Sequence, residues 1–152
     1  MPAPLSKVEL RTPPLLALAV SALVAVVGCG GPSGPICHPV QGQVRFNGQP
    51  LAEALVVFYP QNGGTPGTPK PFAQTDAQGN FRLSTRTAGD GAPAGEYHIT
   101  VELRDLRQVG EETSRDGQNL LPPRFAHPEQ SGLRHTVVDG QNDVPPLEIP
   151  AR

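Results

Sequence analysis

The side chains that could act as nucleophiles or bind a metal are few and widely separated along this chain. They are two cysteines and four histidines: Cys29, Cys37, His38, His98, His127 and His135. A zinc site needs three or four converging ligands, and the spacing of these residues brings no such set together. The sequence also lacks the Gly-x-Ser-x-Gly, phosphate-loop, His-Glu-x-x-His and Cys-x-x-Cys patterns. We therefore predict no catalytic residue, no cofactor and no metal site.

The first cysteine follows an apolar segment near the start of the chain. Lys7 and Arg11 precede an apolar run over Leu15–Val27, and Gly28-Cys29 comes directly after it. A secretory signal has a positively charged start, an apolar stretch of about 7–15 residues and a small residue before the cleavage site. Because a membrane-spanning helix needs about 20 apolar residues, this run is too short to cross a bilayer and predicts a signal peptide.

The segment Val26-Val27-Gly28-Cys29 resembles the lipobox of bacterial lipoproteins, in which a small residue precedes an obligatory cysteine. The resemblance implies that residues 1–28 are removed and that the Cys29 thiol carries a diacylglycerol, often with a further acyl chain such as palmitate on the new amino group. Two or three chains hold a protein on a membrane far more firmly than one. Cys29 is thus the expected lipid-attachment site, the membrane is an expected partner, and Gly30 in place of Asp favours the outer membrane. The alternative is an ordinary secreted protein with a chance cysteine near the cleavage site.

Without residues 1–28 the chain has a modest negative charge. Their removal takes away two basic and one acidic side chain, so the 12 basic and 14 acidic residues become 10 and 13, a net charge of −3 with neutral histidines. No basic patch interleaved with aromatic residues is present, which excludes nucleic acid as a partner. Residues 29–37, rich in Gly and Pro, predict a flexible tether that follows the lipidated cysteine. With Cys29 lipidated, Cys37 has no internal disulfide partner. We expect Cys37 to be a partly buried thiol, with pairing between chains as the alternative.

From residue 38 onward the chain reads as short strands separated by Gly- and Pro-rich turns. Apolar periodicity predicts strands at 40–46, 54–59, 72–75, 80–85, 96–103, 133–138 and 144–149. The continuous apolar run Ala54–Tyr59 is typical of a central strand covered on both faces, and Pro145-Pro146 marks the last strand as an edge or broken strand. We predict an all-β fold, a single β-sandwich over residues 38–150. Its predicted core contains Val44, Phe46, Val56, Phe58, Phe81, Leu83, Tyr97, Ile99 and Val101.

Two of these strands are joined by Asp76-Ala77-Gln78-Gly79. An Asp side chain can bond the backbone two residues on, and Gly79 can adopt the left-handed conformation that hairpins need, so a hairpin over Phe72–Thr85 is predicted. A calcium loop is the functional alternative. Such a loop needs oxygen ligands at several alternate positions, and the residues between Asp76 and Asn80 interrupt them, which favours the turn.

Four segments in this order resemble the markers of carboxypeptidase-regulatory-like domains, which belong with the transthyretin-like sandwiches. Residues 41–51 resemble G-x-V-x-x-x-G-x-P-L, residues 75–81 resemble T-D-x-x-G-x-F, residues 93–101 resemble P-x-G-x-Y-x-x-x-V, and residues 121–133 resemble a variant in small bacterial lipoproteins. The resemblance implies a seven-stranded transthyretin-like, Ig-like sandwich. It also implies a non-catalytic binding or scaffolding module of the cell envelope, with an envelope protein or a polysaccharide as partner.

Two other functions are weighed against this one. Carbohydrate-binding modules stack sugars on exposed aromatic rings, but this chain has no Trp, and Tyr59 and Tyr97 fall in apparent core strands. Some transthyretin-like proteins hydrolyse 5-hydroxyisourate with a C-terminal Tyr-Arg-Gly-Ser, which residues 147–152 do not contain. We therefore expect a protein that is not an enzyme.

The segment Arg104–Gln130 is far longer than the usual connection of about 4–6 residues. Its first part, Arg104–Asn119, is rich in charge and poor in apolar residues, so we predict a mobile, partner-facing loop that does not pack into a core. A mobile insert without a role is the equal alternative. In its second part, we expect Leu120, Leu121 and Phe125 to dock on the sandwich, with Pro122-Pro123 extended.

Overall fold

The computed structural model describes residues 34–62, 68–110, 112–114 and 116–151, so the predicted signal peptide and Cys29 lie outside the described residues. The strands are β1 (Cys37–His38), β2 (Val40–Phe46), β3 (Gln49–Pro50), β4 (Leu55–Pro60), β5 (Phe72–Gln74), β6 (Asn80–Arg82), β7 (Ala92–Pro93), β8 (Gly95–Glu102), β9 (Arg107–Val109), β10 (Glu112–Ser114), β11 (Leu133–Val137), β12 (Asn142–Asp143) and β13 (Leu147–Ile149). A 3-10 turn spans Pro123–Ala126. Within these ranges there is no α-helix, and hence no helix long and apolar enough to cross a membrane. The predicted all-β class is confirmed.

Two sheets form the sandwich. The first has the order β11-β8-β4-β5, with every pair antiparallel. In the second, β2 is the central strand: β3 and β6 pair with it antiparallel, and β12 and β13 pair with it parallel. Short ribbons join β1 to β7 and β9 to β10. The last strand is broken between β12 and β13 at Pro145-Pro146, as predicted, because proline cannot donate a ladder hydrogen bond.

One apolar core lies between the two sheets. The Phe58 ring of β4 is 5.7 Å from the Tyr97 ring of β8 and 6.4 Å from the Phe81 ring of the opposite sheet, measured between centroids. Rings at this spacing contribute about 0.5–1.5 kcal/mol per pair beyond their buried area. Every predicted core residue is buried except Phe46, which is half-buried and packs against the core.

The prediction that Ala54–Tyr59 is covered on both faces is wrong. The strand is central in its sheet, between β5 and β8, but only one face is buried. Val56 and Phe58 are fully buried, whereas Leu55 is 39 % exposed and Val57 is half-buried. The run reads as continuous because the outward positions are apolar as well. The strand therefore contributes apolar side chains to both the core and the protein surface.

The predicted hairpin over Phe72–Thr85 is also wrong in its pairing. The turn at Asp76–Gly79 is present, but β5 pairs with β4 in the first sheet and β6 pairs with β2 in the second. Only a bridge between Phe72 and Ser84 links the two arms. The turn therefore carries the chain from one sheet to the other, since each arm buries its apolar residue, Ala73 or Phe81, against the shared core.

The segment after β8 is more regular than predicted. An irregular loop is expected over 104–119, yet β9 and β10 form an antiparallel hairpin with Gln108 opposite Thr113. Gly110, at φ 67°, supplies the positive dihedral angle that a tight turn requires. The side chains of β10 are exposed, in agreement with the prediction that this segment does not pack into a core.

Beyond this hairpin the chain docks on the sandwich largely as expected. Leu121 and Phe125 are buried in the core, as predicted, but Leu120 is 56 % exposed and the prediction that it docks is wrong. Pro122 is extended (ψ 130°), whereas Pro123 begins the 3-10 turn rather than continuing the extended chain. Leu120 points outward because it is next to Leu121, and adjacent residues of an extended segment face opposite sides.

Candidate functional site

The outer face of the first sheet, on the side away from the core, presents apolar side chains to solvent. Leu55 of β4 is paired with Gln74 of β5 and with Glu102 of β8. Val57, the next outward residue of β4, is paired with Phe72 and likewise faces outward. Paired residues of antiparallel strands project to the same face, with Cβ atoms about 4.5–5.5 Å apart. These residues therefore form a contiguous patch near the β5 edge.

We call the depression in this patch the apolar groove; it encloses about 240 Å³ and is lined by Glu53, Leu55, Phe72, Gln74, Glu102 and Arg104. Leu55 is 39 % exposed and Phe72 is 51 % exposed. At one rim the Gln74 Nε2 donates to Glu53 Oε2 at 2.9 Å. At the other rim the Arg104 Nη2 donates to Glu102 Oε2 at 2.6 Å. An apolar floor with polar rims is the composition of a small binding site.

The groove lies at the base of the β9–β10 hairpin. Arg104 forms a bridge with Asn119 where the chain leaves and re-enters the sheet. The Asn119 Oδ1 accepts hydrogen bonds from the backbone N–H groups of Leu103 and Leu121 at 3.1 and 3.2 Å. These bonds hold both ends of the hairpin, and with them Arg104, beside the groove.

Toward β11 the same outer face becomes polar. Tyr59 is paired with His98, and His98 with Arg134. The Lys70 ammonium lies 4.6 Å from the centroid of the Tyr59 ring, a cation–π geometry. A wider depression of about 420 Å³ lies at the β11 edge of the sheet, and residues of both faces line it: Gln61, Glu96, Tyr97, Arg134, His135 and Thr136. The face thus grades from apolar at β5 to hydrophilic at β11.

The four histidines lie apart. His38 Nδ1 accepts the Gly140 N–H at 3.0 Å, and His38 Nε2 is 3.2 Å from an Asp139 carboxylate oxygen. His127 is exposed after the 3-10 turn. His98 lies half-buried on the outer face, less solvated than its place on a polar strand face predicts.

His135 lies on the core side of β11, with its ring 6.4 Å from that of Phe58. Its Nε2 is buried without a hydrogen-bond partner in the structure, and burial lowers the pKa of the imidazole. In the part of the chain that the structure describes, no group of three or more His, Cys, Asp or Glu side chains is placed to hold a metal ion.

Asp76 acts as a turn residue. Its Oδ1 accepts the backbone N–H groups of Gln78 and Asn80 at 2.9 and 2.8 Å, and its Oδ2 accepts the Asn80 amide at 3.3 Å. The hydrogen bond from the Asn80 backbone is the main cause of the lowered pKa of this carboxyl group. Because both oxygens are engaged within the turn, the geometry favours the turn over the calcium loop, as the sequence predicted.

Cys37 is half-buried in β1, as predicted, and its Sγ lies 3.6 Å from the Arg86 guanidinium. Among the described residues it forms no disulfide. Cys29, the predicted lipid-attachment residue, is outside those residues.

Sequence reasoning missed Leu55 and Phe72 as surface residues. Leu55 falls in the apolar run Ala54–Tyr59, which was predicted to be covered on both faces, and Phe72 begins a predicted strand whose exposed face the sequence does not reveal. The available signal was Pro71, directly before Phe72, since a proline at the start of a strand is typical of an edge. An edge strand leaves part of its outer face open to solvent, and Phe72 lies on that face.

Comparisons with known proteins identify no family for this chain. No protein-family model matches it, and no curated protein matches it. Among solved structures, it is similar to the major pilin subunit of Bacillus cereus, at 15 % identity and a TM-score of 0.42 over 76 % of this chain and 30 % of that one. A DUF3823 family protein from Parabacteroides merdae matches at 15 % identity and a TM-score of 0.40, over 76 % and 47 %. A 9R-lipoxygenase from Cyanothece matches at 18 % identity and 0.40, over 78 % and 18 %. The chain spans less than half the length of each of these three structures.

Proposed function

We propose that this chain is a lipid-anchored, non-catalytic binding module of the cell envelope, tethered through Cys29 and of the carboxypeptidase-regulatory-like type. Its apolar groove receives an apolar side chain of an envelope protein. The observation that carries the binding role is the pair of exposed side chains, Leu55 and Phe72, on the floor of one depression. An exposed apolar patch with a polar rim is typical of protein-interaction surfaces.

The rim chemistry supports a partner with an apolar anchor and a flanking donor or cation. The groove carries two carboxylates, of Glu53 and Glu102, and one guanidinium, of Arg104. The Arg104 guanidinium is paired with the Glu102 carboxylate, and the Glu53 carboxylate accepts from the Gln74 amide, so the lining has one more carboxylate than guanidinium. Charge complementarity contributes specificity and a faster association rate more than affinity.

The groove is tested by photo-crosslinking in cells from a benzoylphenylalanine placed at position 72, with the same probe at position 120 as the control. Leu120 is exposed to a similar degree, 56 % against 51 %, but does not line the groove. We expect a discrete crosslinked protein from position 72 that is absent from position 120, and its loss in a Leu55→Ser background. Identical crosslinking patterns from the two positions would contradict the groove as the binding surface.

The hairpin is a separate part of the proposal, because β9 and β10 project from the groove base. Replacing residues 106–117 with a short Gly/Ser linker keeps Arg104 and Asn119, so the groove stays complete. We expect the shortened protein to fold and to lose part of its partner capture in a crosslinking pulldown. Full capture by the shortened protein would make the hairpin a spacer and leave the groove as the binding surface.

The anchor is tested with Cys29→Ala and metabolic labelling with an alkyne fatty acid. We expect the variant to lose the label and to leave the membrane fraction, while Cys37→Ala, a matched thiol replacement, keeps both. Equal labelling of Cys29→Ala would overturn the lipid anchor. It would leave the groove proposal standing, since the two rest on different residues.

Carbohydrate binding is the second candidate function, favoured by one observation. Phe72 is an exposed aromatic ring, and the neighbouring Glu53 and Gln74 supply the carboxylate and amide groups that bind sugar hydroxyls. A glycan array probed with the wild type and with Phe72→Ala tests it. Binding to a defined glycan that disappears in Phe72→Ala would establish this function in place of the protein partner.

A further inference from the structure

We propose that one end of the domain lies in the headgroup region of the bilayer, with the Ile36 side chain inserted at the boundary of the acyl chains. We call this end the N-terminal surface and define it by Ile36, Arg86, Val138 and Asp139. The proposal rests on the lipid anchor at Cys29 and adds an orientation and a second, non-covalent contact with the membrane.

The length of chain between the anchor and the domain limits where the domain can sit. Cys29 and Gly34, the first described residue, are five residues apart. Fully extended, five residues reach at most about 18 Å. A domain of this size has a radius of gyration of about 13–14 Å and so a diameter well above that reach. The surface beside Gly34 is therefore kept nearer the bilayer than the opposite end of the sandwich.

The free length of the tether does not extend past Gly34, because the chain is bonded to the domain from Pro35 onward. The Arg86 Nη2 donates to Pro35 O at 2.6 Å. Cys37 and His38 then pair with Pro93 and Ala92 in the β1–β7 ribbon. The tether thus ends at a fixed point on the N-terminal surface.

Ile36 projects from this fixed segment into solvent. It is 77 % exposed, the most exposed large apolar residue among those described, whereas the adjacent Cys37 is half-buried. Successive residues of an extended chain face opposite sides, so the packing of Cys37 toward the domain directs Ile36 away from it. An isoleucine held in this way cannot reach the core without breaking the β1–β7 pairing.

A second apolar side chain belongs to the same end. Val138 is 56 % exposed. Asn142 holds the turn that carries Val138: its Oδ1 accepts the Val138 N–H, and its Nδ2 donates to Val138 O. The backbone N–H of Asn142 donates to Pro39 O, which fixes this turn beside β1. The charged groups here are the Arg86 guanidinium, the Asp90 carboxylate that interacts with it, and the Asp139 carboxylate, which lies 3.2 Å from His38 Nε2. These groups give no excess of positive charge, so apolar insertion and not attraction to anionic lipid provides the contact.

The test uses tryptophan fluorescence, because the chain has no Trp of its own. Full-length Ile36→Trp and Leu120→Trp are expressed with processing, purified as the acylated proteins and placed in phosphatidylcholine vesicles that contain brominated acyl chains. Leu120 is the matched control, since it is also exposed. It bonds Leu103 just after the last residue of β8, whereas β7 and the N-terminal surface lie near the first residue of that strand. We expect Ile36→Trp to lose about half of its emission or more at a depth of about 5–10 Å. Leu120→Trp should keep its emission, and added phosphatidylglycerol should change neither result.

Each alternative outcome overturns the inference in a recognisable way. If Ile36→Trp is open to aqueous iodide and unquenched by bromolipid, the surface stays in water. If it is shielded from both quenchers, it is covered by its own domain or by a second copy of this chain, the only protein in the vesicles, and not by lipid. Quenching that appears only with phosphatidylglycerol would replace apolar insertion by electrostatic attraction. Mass spectrometry separates the two proposals: an unacylated Cys29 removes the anchor and this inference together, whereas an acylated protein without quenching removes this inference alone.

Discussion

Replacing Thr75 by valine should destabilise the sandwich through hydrogen bonds alone. Thr75 is 2 % exposed at the end of β5. Its hydroxyl accepts the Ala54 N–H at 2.8 Å and donates to Leu51 O at 2.7 Å. Its backbone accepts the Glu53 N–H and donates to Ala54 O. One residue thus ties the turn before β4 to the first sheet, and Thr75→Val replaces the hydroxyl with a methyl group of similar size.

The magnitude follows from what the missing hydroxyl leaves behind. Ala54 is fully buried, so its N–H is left without an acceptor, which costs about 1–3 kcal/mol. Loss of the bond to Leu51 O costs a further 0.5–1.5 kcal/mol or so. The added methyl group offsets part of this, by about 0.8 kcal/mol. We expect a net loss of about 2 kcal/mol, within a range of about 1–4 kcal/mol, which is a large fraction of the 5–15 kcal/mol or so of an ordinary domain.

Urea denaturation of a soluble Cys29→Ser form, followed by circular dichroism, measures this loss. Thr75→Ser is the control, since it keeps the hydroxyl and loses only a methyl group, at about 0.8 kcal/mol. Both variants should show an unchanged m-value, which indicates that the change lies in stability and not in the denatured state. If Thr75→Val is as stable as the wild type, or Thr75→Ser is as unstable as Thr75→Val, the hydroxyl does not carry the stabilisation assigned to it.

Four further results are expected. Phe81→Ala should cost about 3–5 kcal/mol in urea denaturation because it opens a cavity beside Phe58, and a loss below about 1 kcal/mol would contradict its core position. Burial raises the pKa of the Tyr97 phenol above 10.0, so the stability that Tyr97 contributes is present below that pH and lost as pH rises through the folded-state value; Tyr97→Phe should flatten this alkaline loss. Burial lowers the pKa of His135 below 6.5, so the stability linked to its neutral form is present above that pH and lost as pH falls. If the free energy of unfolding falls as steeply at acid pH in His135→Leu as in the wild type, this assignment is wrong. On non-reducing gels a Cys29→Ser form should run as a monomer, and a complete Cys37-linked dimer would show pairing between chains.

Local signals in the sequence were sufficient for much of the fold. The alternation over Val40–Phe46 predicts β2 with its exact bounds, and Asn47-Gly48 predicts a turn that the structure shows with φ values of 50° and 78°. The alternation after residue 95 predicts Tyr97, Ile99 and Val101 as buried in β8, but it misses Thr100, which is buried although it lies on the other face. These predictions succeed because strand periodicity and turn dihedral angles depend on neighbouring residues.

Strand pairing was not accessible from such signals. The two arms around Asp76–Gly79 are adjacent in sequence, yet they join different sheets, because each gains more from a distant partner and from the shared core than from the other arm. The regular hairpin of β9 and β10 was missed for a related reason: its exposed polar side chains give no apolar alternation from which a strand can be inferred.

The sequence by itself determined the class of the domain, its core residues, its turns and the presence of a candidate lipidation cysteine, because each depends on residue type and local spacing. Only the tertiary structure decided that Leu55 and Phe72 share an open groove with Glu102 and Arg104. An apolar residue in a strand gives the same sequence pattern whether its face of the sheet is buried or exposed to solvent. Which face is open depends on how the strands are ordered across the sheet and on what packs over them, and these contacts join residues far apart in the chain.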